Sequence, residues 1–160
     1  MMKTNMDFFN YYKEKLQEIN LSAEIFNLAE SIVKGLESLT YISNEKYYVN
    51  MFFIPDTEEQ FEKLRLLQFT CLISCSDYII NNQLLLLKLL NKKNTQLPIG
   101  SLIYSDEHQL VFKYIYATDA EQPIESKLFQ ELVGLLNSVI EDSSTIFNQY
   151  GEDDLKGYLS

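Results

Sequence analysis

The chain is short of the residues that carry most protein chemistry. It has one arginine, Arg65, one histidine, His108, and two cysteines, Cys71 and Cys75. Lys92-Lys93 is its only basic doublet, and the formal net charge is −10. Binding nucleic acid through phosphates takes a basic patch that releases counterions, and docking on an anionic bilayer takes the same kind of patch. The composition argues against both. No glycine-rich loop is placed to cradle a phosphate, because Gly100 stands alone and Gly35 and Gly134 fall in helical patterns. The apolar run Leu84 to Leu90 is broken by Lys88 and is far too short to cross a membrane. The opening MMKTNMDFF lacks the charged-then-apolar order of a secretion signal, so a cytoplasmic location is expected.

The same scarcity bounds catalysis. His108 sits in a predicted turn beside Asp106 and Glu107, and a catalytic imidazole needs an orienting partner and a nucleophile or substrate within reach. No serine or cysteine is marked as that partner, so His108 reads as an exposed turn residue. One histidine and two cysteines do not supply the three or four convergent ligands of a zinc site. Asp153-Asp154 does not fit a calcium loop. Carboxylate pairs such as Glu58-Glu59 and Glu141-Asp142 read as solvated charge. The expectation is a protein that is not an enzyme and has no cofactor and no metal. In a strand, Cys71 and Cys75 share a face about 13 Å apart, at ~3.3 Å per residue, which is too far to bridge. They are expected to be reduced thiols.

What is present is an α+β pattern. At 160 residues, one domain is expected to cover the chain and to bury roughly 70% of the surface of its unfolded form. Phe8, Tyr12, Leu16 and Ile19 mark an N-terminal amphipathic helix. The stripe changes phase at Asn20. Leu21, Ile25, Leu28, Ile32 and Leu36 then predict a second helix capped by Ser22. Tyr41, Tyr47, Tyr48, Val49, Phe52, Phe53 and Ile54 predict two strands around a Ser43-Asn44-Glu45 turn, and Pro55-Asp56 ends the second. Lys63 to Cys75 is read as a third strand. Asp77 is expected to cap a helix from Tyr78 to Lys92 that is apolar nearly all round. Such a helix is either central or part of a subunit interface. A hairpin turns at Asp106-Glu107-His108, with Leu110, Phe112, Tyr114 and Tyr116 on one face and Val111 and Ile115 on the other. Both faces are expected to be covered. Gln122-Pro123 opens a last helix with Leu128, Leu132, Leu135, Val139, Ile146 and Tyr150 as its core stripe, and Gly151 closes it. Residues 152–160 read as an acidic tail that frays outward.

The segment LLLLKLLNKKNTQLPIGSLIYSDEHQLVFKY, Leu84 to Tyr114, resembles the type III secretion chaperone-like fold, including the YbjN-like bacterial proteins. The likeness rests on a Leu-rich helix ending in the Asn91–Asn94 turn, the lead-in Pro98-Ile99-Gly100, the acidic turn Asp106-Glu107 and the aromatic strand Val111-Phe112-Lys113-Tyr114. It implies an antiparallel sheet packed by helices, in the order helices, three strands, helix, two-strand hairpin, helix. The helix at residues 1–20 is extra to that plan. The resemblance also implies a homodimeric binding protein that holds an extended segment of a client. Leu84, Leu85, Leu87 and Leu89 then belong to the dimer or partner surface, with Phe112, Tyr114 and Tyr116 on the sheet facing a helix, a client or the second subunit.

The resulting expectation is a chaperone-like or regulatory module that binds a protein or peptide partner. The alternative is an acidic regulator or immunity-type inhibitor that blocks a basic partner. The chain is rich in Asn, Lys and Ile and poor in Arg, which hints at an AT-rich bacterial genome.

Overall fold

The computed structural model describes residues 4–27, 35–56 and 60–160. Its strands form one antiparallel sheet in the order β1-β2-β3-β4-β6-β5. They are β1 (Ala23–Phe26), β2 (Ser38–Ser43), β3 (Tyr47–Phe53), β4 (Leu64–Ile73), β5 (Ser101–Tyr104) and β6 (Leu110–Asp119). The fold is α+β, with helices packed on the sheet.

Alternation along each strand decides which face is buried. Leu39 and Tyr41, Val49, Met51 and Phe53, Leu67, Phe69, Cys71 and Ile73, and Leu110 and Phe112 all point to one side and are buried there. Helix α1 (Asn5–Glu18) closes part of that side with Phe8, Phe9, Tyr12 and Leu16. A reciprocal cap starts it: the Asp7 N–H donates to Thr4 Oγ1 at 3.2 Å and the Thr4 N–H to Asp7 Oδ2 at 2.8 Å. Helix α1 is therefore integral to the core. Tyr12 meets Phe129 at a ring distance of 4.5 Å, and Phe8 and Phe9 each meet Phe53 at 5.5 Å. The lone arginine joins this packing. Its guanidinium lies 4.3 Å from the Phe53 ring centre and 5.2 Å from that of Phe8, and it donates to Asn5.

The two hairpins and the third predicted strand stand where the sequence puts them. Five other expectations are corrected. The helix predicted after Asn20 begins instead as β1. Asn20 adopts φ 63° and ends α1, and the Ser22 carbonyl accepts the Ile42 N–H at 3.1 Å in place of capping a helix. Four strands thus precede the middle helices. Leu28 and Ile32 lie outside the described residues. The predicted helix from Tyr78 to Lys92 is two helices, α2 (Asp77–Ile80), preceded by Ser76, and α3 (Gln83–Gln96). Asn82 breaks them by accepting the Leu85 N–H on its side chain at 3.1 Å. The last long helix, α4 (Ser126–Ser144), starts at Glu125, whose carboxylate accepts the Lys127 and Leu128 N–H groups. Its first turns bury Phe129, Val133 and Leu136, one position on from the expected Leu128 and Leu135, which are exposed, and Leu132, which is half-buried; the expected Val139 and Ile146 are buried, as is Ile140. Two apolar stripes run side by side on this helix, and the one that holds Phe129 packs against Tyr12 of α1.

The acidic tail does not fray. After a π turn at Thr145–Gln149, Glu152–Leu159 forms helix α5, whose acidic first turn suits the helix dipole. Leu155 is buried, Tyr158 Oη donates to Gln96 Oε1 at 2.6 Å, and Lys92 donates to the Tyr158 carbonyl. Lastly, the described residues leave the second face of the sheet uncovered along β3, β4, β5 and β6, where Tyr48, Leu72, Ile103 and Ile115 are exposed.

Two outcomes follow from this core. Gly100 has φ +72°, and a Cβ there would lie 2.6 Å from the Phe112 ring and 2.8 Å from the Lys113 carbonyl. Gly100→Ala is expected to cost about 1–3 kcal/mol in a urea titration. Burial pushes the Cys71 thiol up to about 12 and, with a smaller opposing effect of the Ile124 N–H, the Tyr12 hydroxyl up to about 12. Both pKa values are raised on folding, so their contribution is complete below the ordinary values of 9.0 and 10.0 and is lost as pH rises towards 12. Urea midpoints should fall between these limits; a flat profile would contradict the burial of both groups.

Candidate partner-binding surface

The expected surface residues separate once folded. On α3, Leu86, Leu89 and Leu90 face the core, together with Lys93, which pairs with Asp142 of α4. Leu85 is half-buried. Leu84 and Leu87 are 64% and 52% exposed. Tyr78 and Ile80 of α2 are exposed as well. The helix is thus not buried all round; its apolar surplus faces outward. Phe112 is buried, and Tyr114 and Tyr116 are half-buried on the core face. Tyr114 stacks on Phe69 with ring centres 6.1 Å apart. Of the seven expected residues, Leu84 and Leu87 are accessible for docking on the folded chain, whereas Leu89 and Phe112 hold the core together.

The second face of the sheet carries a pattern that alternation alone did not reveal. Strand register aligns its side chains in rungs across the strands. Ile42 pairs with Tyr48, and Leu72 and Ile103 each pair with Val111. One step beyond the pair Val49–Cys71, Tyr48 falls opposite Leu72. Ile42, Tyr48, Leu72, Val111 and Ile103 therefore form one apolar rung over five strands, about 19 Å long at ~4.8 Å per strand. Tyr48 and Leu72 are 63% and 57% exposed. The next rung is polar throughout: Glu24, Thr40, Asn50, Thr70, Lys113 and Ser101. Within it Thr40 Oγ1 donates to Asn50 Oδ1 at 2.6 Å. The signal lay in pairing across strands, which needs the register and not just the periodicity.

A third feature is a bare sheet edge. Strand β6 pairs with β4 along its ten residues, but β5 covers only Leu110 to Lys113. The Ala120 N–H donates to the Lys63 carbonyl and the Ser105 N–H to the Gln109 carbonyl. Even-numbered residues of β6 thus turn their backbone groups to β4, and odd-numbered ones turn theirs outward. Beyond Lys113, the peptide groups of Ile115 and Ala117 face outward with no strand beside them among the described residues.

His108 stands at φ 60° in the β5–β6 turn, its Nδ1 3.5 Å from Tyr104 Oη. Cys71 is buried and Cys75 partly so, and both are free thiols. Burial holds Cys75 up to about 11, so neither is an activated nucleophile. Among the described residues, no group of three or more His, Cys, Asp or Glu side chains is placed to hold a metal, and no helix is long and apolar enough to cross a membrane. No protein-family model matches the chain, and no curated protein does.

Proposed function

We propose that the chain is a non-enzymatic module that binds a protein or peptide partner, chaperone-like or regulatory, and that it acts as a homodimer. The observation that carries this reading is the apolar rung Ile42–Tyr48–Leu72–Val111–Ile103 on the face that the helices leave open. Tyr48, Leu72 and Ile103 are exposed and Ile42 and Val111 half-buried along this line, and an accessible apolar line bordered by a polar rung is a common mark of a docking surface. The exposed Leu84 and Leu87 supply a separate apolar site for the second copy. The likeness of Leu84–Tyr114 to secretion chaperones and YbjN-like proteins points the same way. A second reading rests on the net charge of −10: an acidic regulator that blocks a basic partner, bound through charge more than through apolar contact.

Two pairs of substitutions test this. Tyr48→Glu with Leu72→Glu alters exposed side chains only, so stability should stay within about 0.5 kcal/mol per site. The wild type is expected to retain a stoichiometric protein from native lysate that this double variant does not retain. Identical capture by both proteins, or no capture by either, overturns the reading. Retention at roughly 0.5 M salt supports apolar docking, and release there supports the acidic-regulator reading. Leu84→Glu with Leu87→Glu should convert a dimer to a monomer in sedimentation. A wild type that already sediments as a monomer contradicts the homodimer.

A further inference from the structure

We infer that the bare edge of β6, Tyr114 to Asp119, is the seat for an extended partner segment that adds to the sheet as an antiparallel strand, and that this segment is apolar with basic residues at its N-terminal end. The inference rests on the peptide-binding reading above and names its site and ligand class.

The backbone comes first. The peptide groups of Ile115 and Ala117 point away from β4, and both residues are exposed. Such groups are a template for another strand. Natural edges are commonly protected by charge, proline or a covering element. From Tyr114 to Thr118 this edge has no charged residue and no proline. Strand β5 stops short because Gly100, at φ +72°, turns the chain away against Phe112 and Lys113. That turn leaves a notch, not a frayed end. The strand behind the notch is held by a ten-residue ladder to β4, so an arriving segment meets an ordered edge and does not have to order it.

Side chains flank the notch on both sides. A hollow of ≈ 370 Å³ at its start is lined by Gly100, Ser101, Ile103, Lys113, Tyr114 and Ile115. A second, of ≈ 150 Å³, lies at its end between Tyr116 and Leu128. Residues of an added strand would alternate between Ile115 and Ala117 on the open face and Tyr116 and Leu128 on the helix side. This favours apolar residues with a short repeat.

Charge sets the direction and the chemistry. Asp119 and Glu125 line the second hollow, and Glu121 follows on the turn where its N–H donates to Asp119 Oδ1 at 2.7 Å. Lys113 stands at the other end. Each strand of this sheet is antiparallel to its neighbours, and an antiparallel newcomer brings its N-terminal end to the three carboxylates.

The test uses the whole chain and a fluorescent synthetic peptide: two lysines followed by four alternating valine–threonine pairs. Fluorescence anisotropy should report saturable binding. Binding should weaken roughly tenfold when the peptide amides facing β6 are N-methylated, because each loss removes a backbone bond. Methylation on the opposite edge should leave it unchanged. Ala117→Pro removes an outward N–H and no bond to β4, and it should weaken binding to a similar degree. Moving the lysines to the other end of the peptide should also weaken it. No binding, or binding indifferent to both the methylated amides and Ala117→Pro, overturns the inference. So does loss of self-association in Ala117→Pro, which would give the edge to a second copy. A chain that fails with the peptide yet still loses its lysate partner through Tyr48→Glu and Leu72→Glu would keep the binding-module reading and lose only this seat.

Discussion

The ten-residue pairing of β4 with β6, from Leu64–Asp119 to Ile73–Leu110, is the constraint on which the rest of the molecule depends. It joins residues 37 to 55 positions apart, and its register is fixed because a slip by one would turn Leu67, Phe69, Cys71 and Ile73 out of the core. That register sends Leu110 and Phe112 to the same side, where both are buried. It equally sets what faces out. Leu72 and Val111 join the apolar rung, Thr70 and Lys113 the polar one, and the second half of β6 extends past the end of β5.

Much of the architecture was legible in the residues, for identifiable reasons. Strands β2 to β6 stand out because aromatic and β-branched residues alternate between turn signals such as Ser43-Asn44-Glu45 and Asp106-Glu107-His108. Helix α1 was clear from its stripe. The errors share a cause: local pattern is ambiguous where tertiary pairing decides. Leu21 and Ile25 fit a helical spacing, yet Ile25 lies opposite Leu39 in a sheet. Leu128, Leu132 and Leu135 form as regular a stripe as Phe129, Val133 and Leu136, and packing against α1 and the sheet separates them. Asn81-Asn82 divides a leucine-rich stretch because the Asn82 side chain competes for a backbone N–H.

The surface was less legible than the fold. Leu84 and Leu87 were identifiable as surplus apolar residues on a helix, but Leu89 and Phe112, alike in character, belong to the core. The apolar rung is spread over five strands as Ile42, Tyr48, Leu72, Ile103 and Val111, so no window of sequence contains it. The bare edge depends on the different lengths of β5 and β6. Both are properties of register. The sole arginine shows the converse, since a residue typical of binding surfaces is spent here on packing α1 against Phe53. At the surface the apolar rung and the bare edge of β6 stand beside a net charge of −10.

The most direct test of this account is residue-resolved amide hydrogen exchange on the free chain. Tyr114, Tyr116 and Thr118 should be protected by their bonds to β4, while Ile115 and Ala117 between them exchange rapidly. That two-residue alternation would establish the register and the bare edge together. Uniform protection from Tyr114 to Thr118 would mean that another strand already covers β6, and uniform fast exchange would mean that the β4–β6 ladder does not extend there; either result contradicts the account.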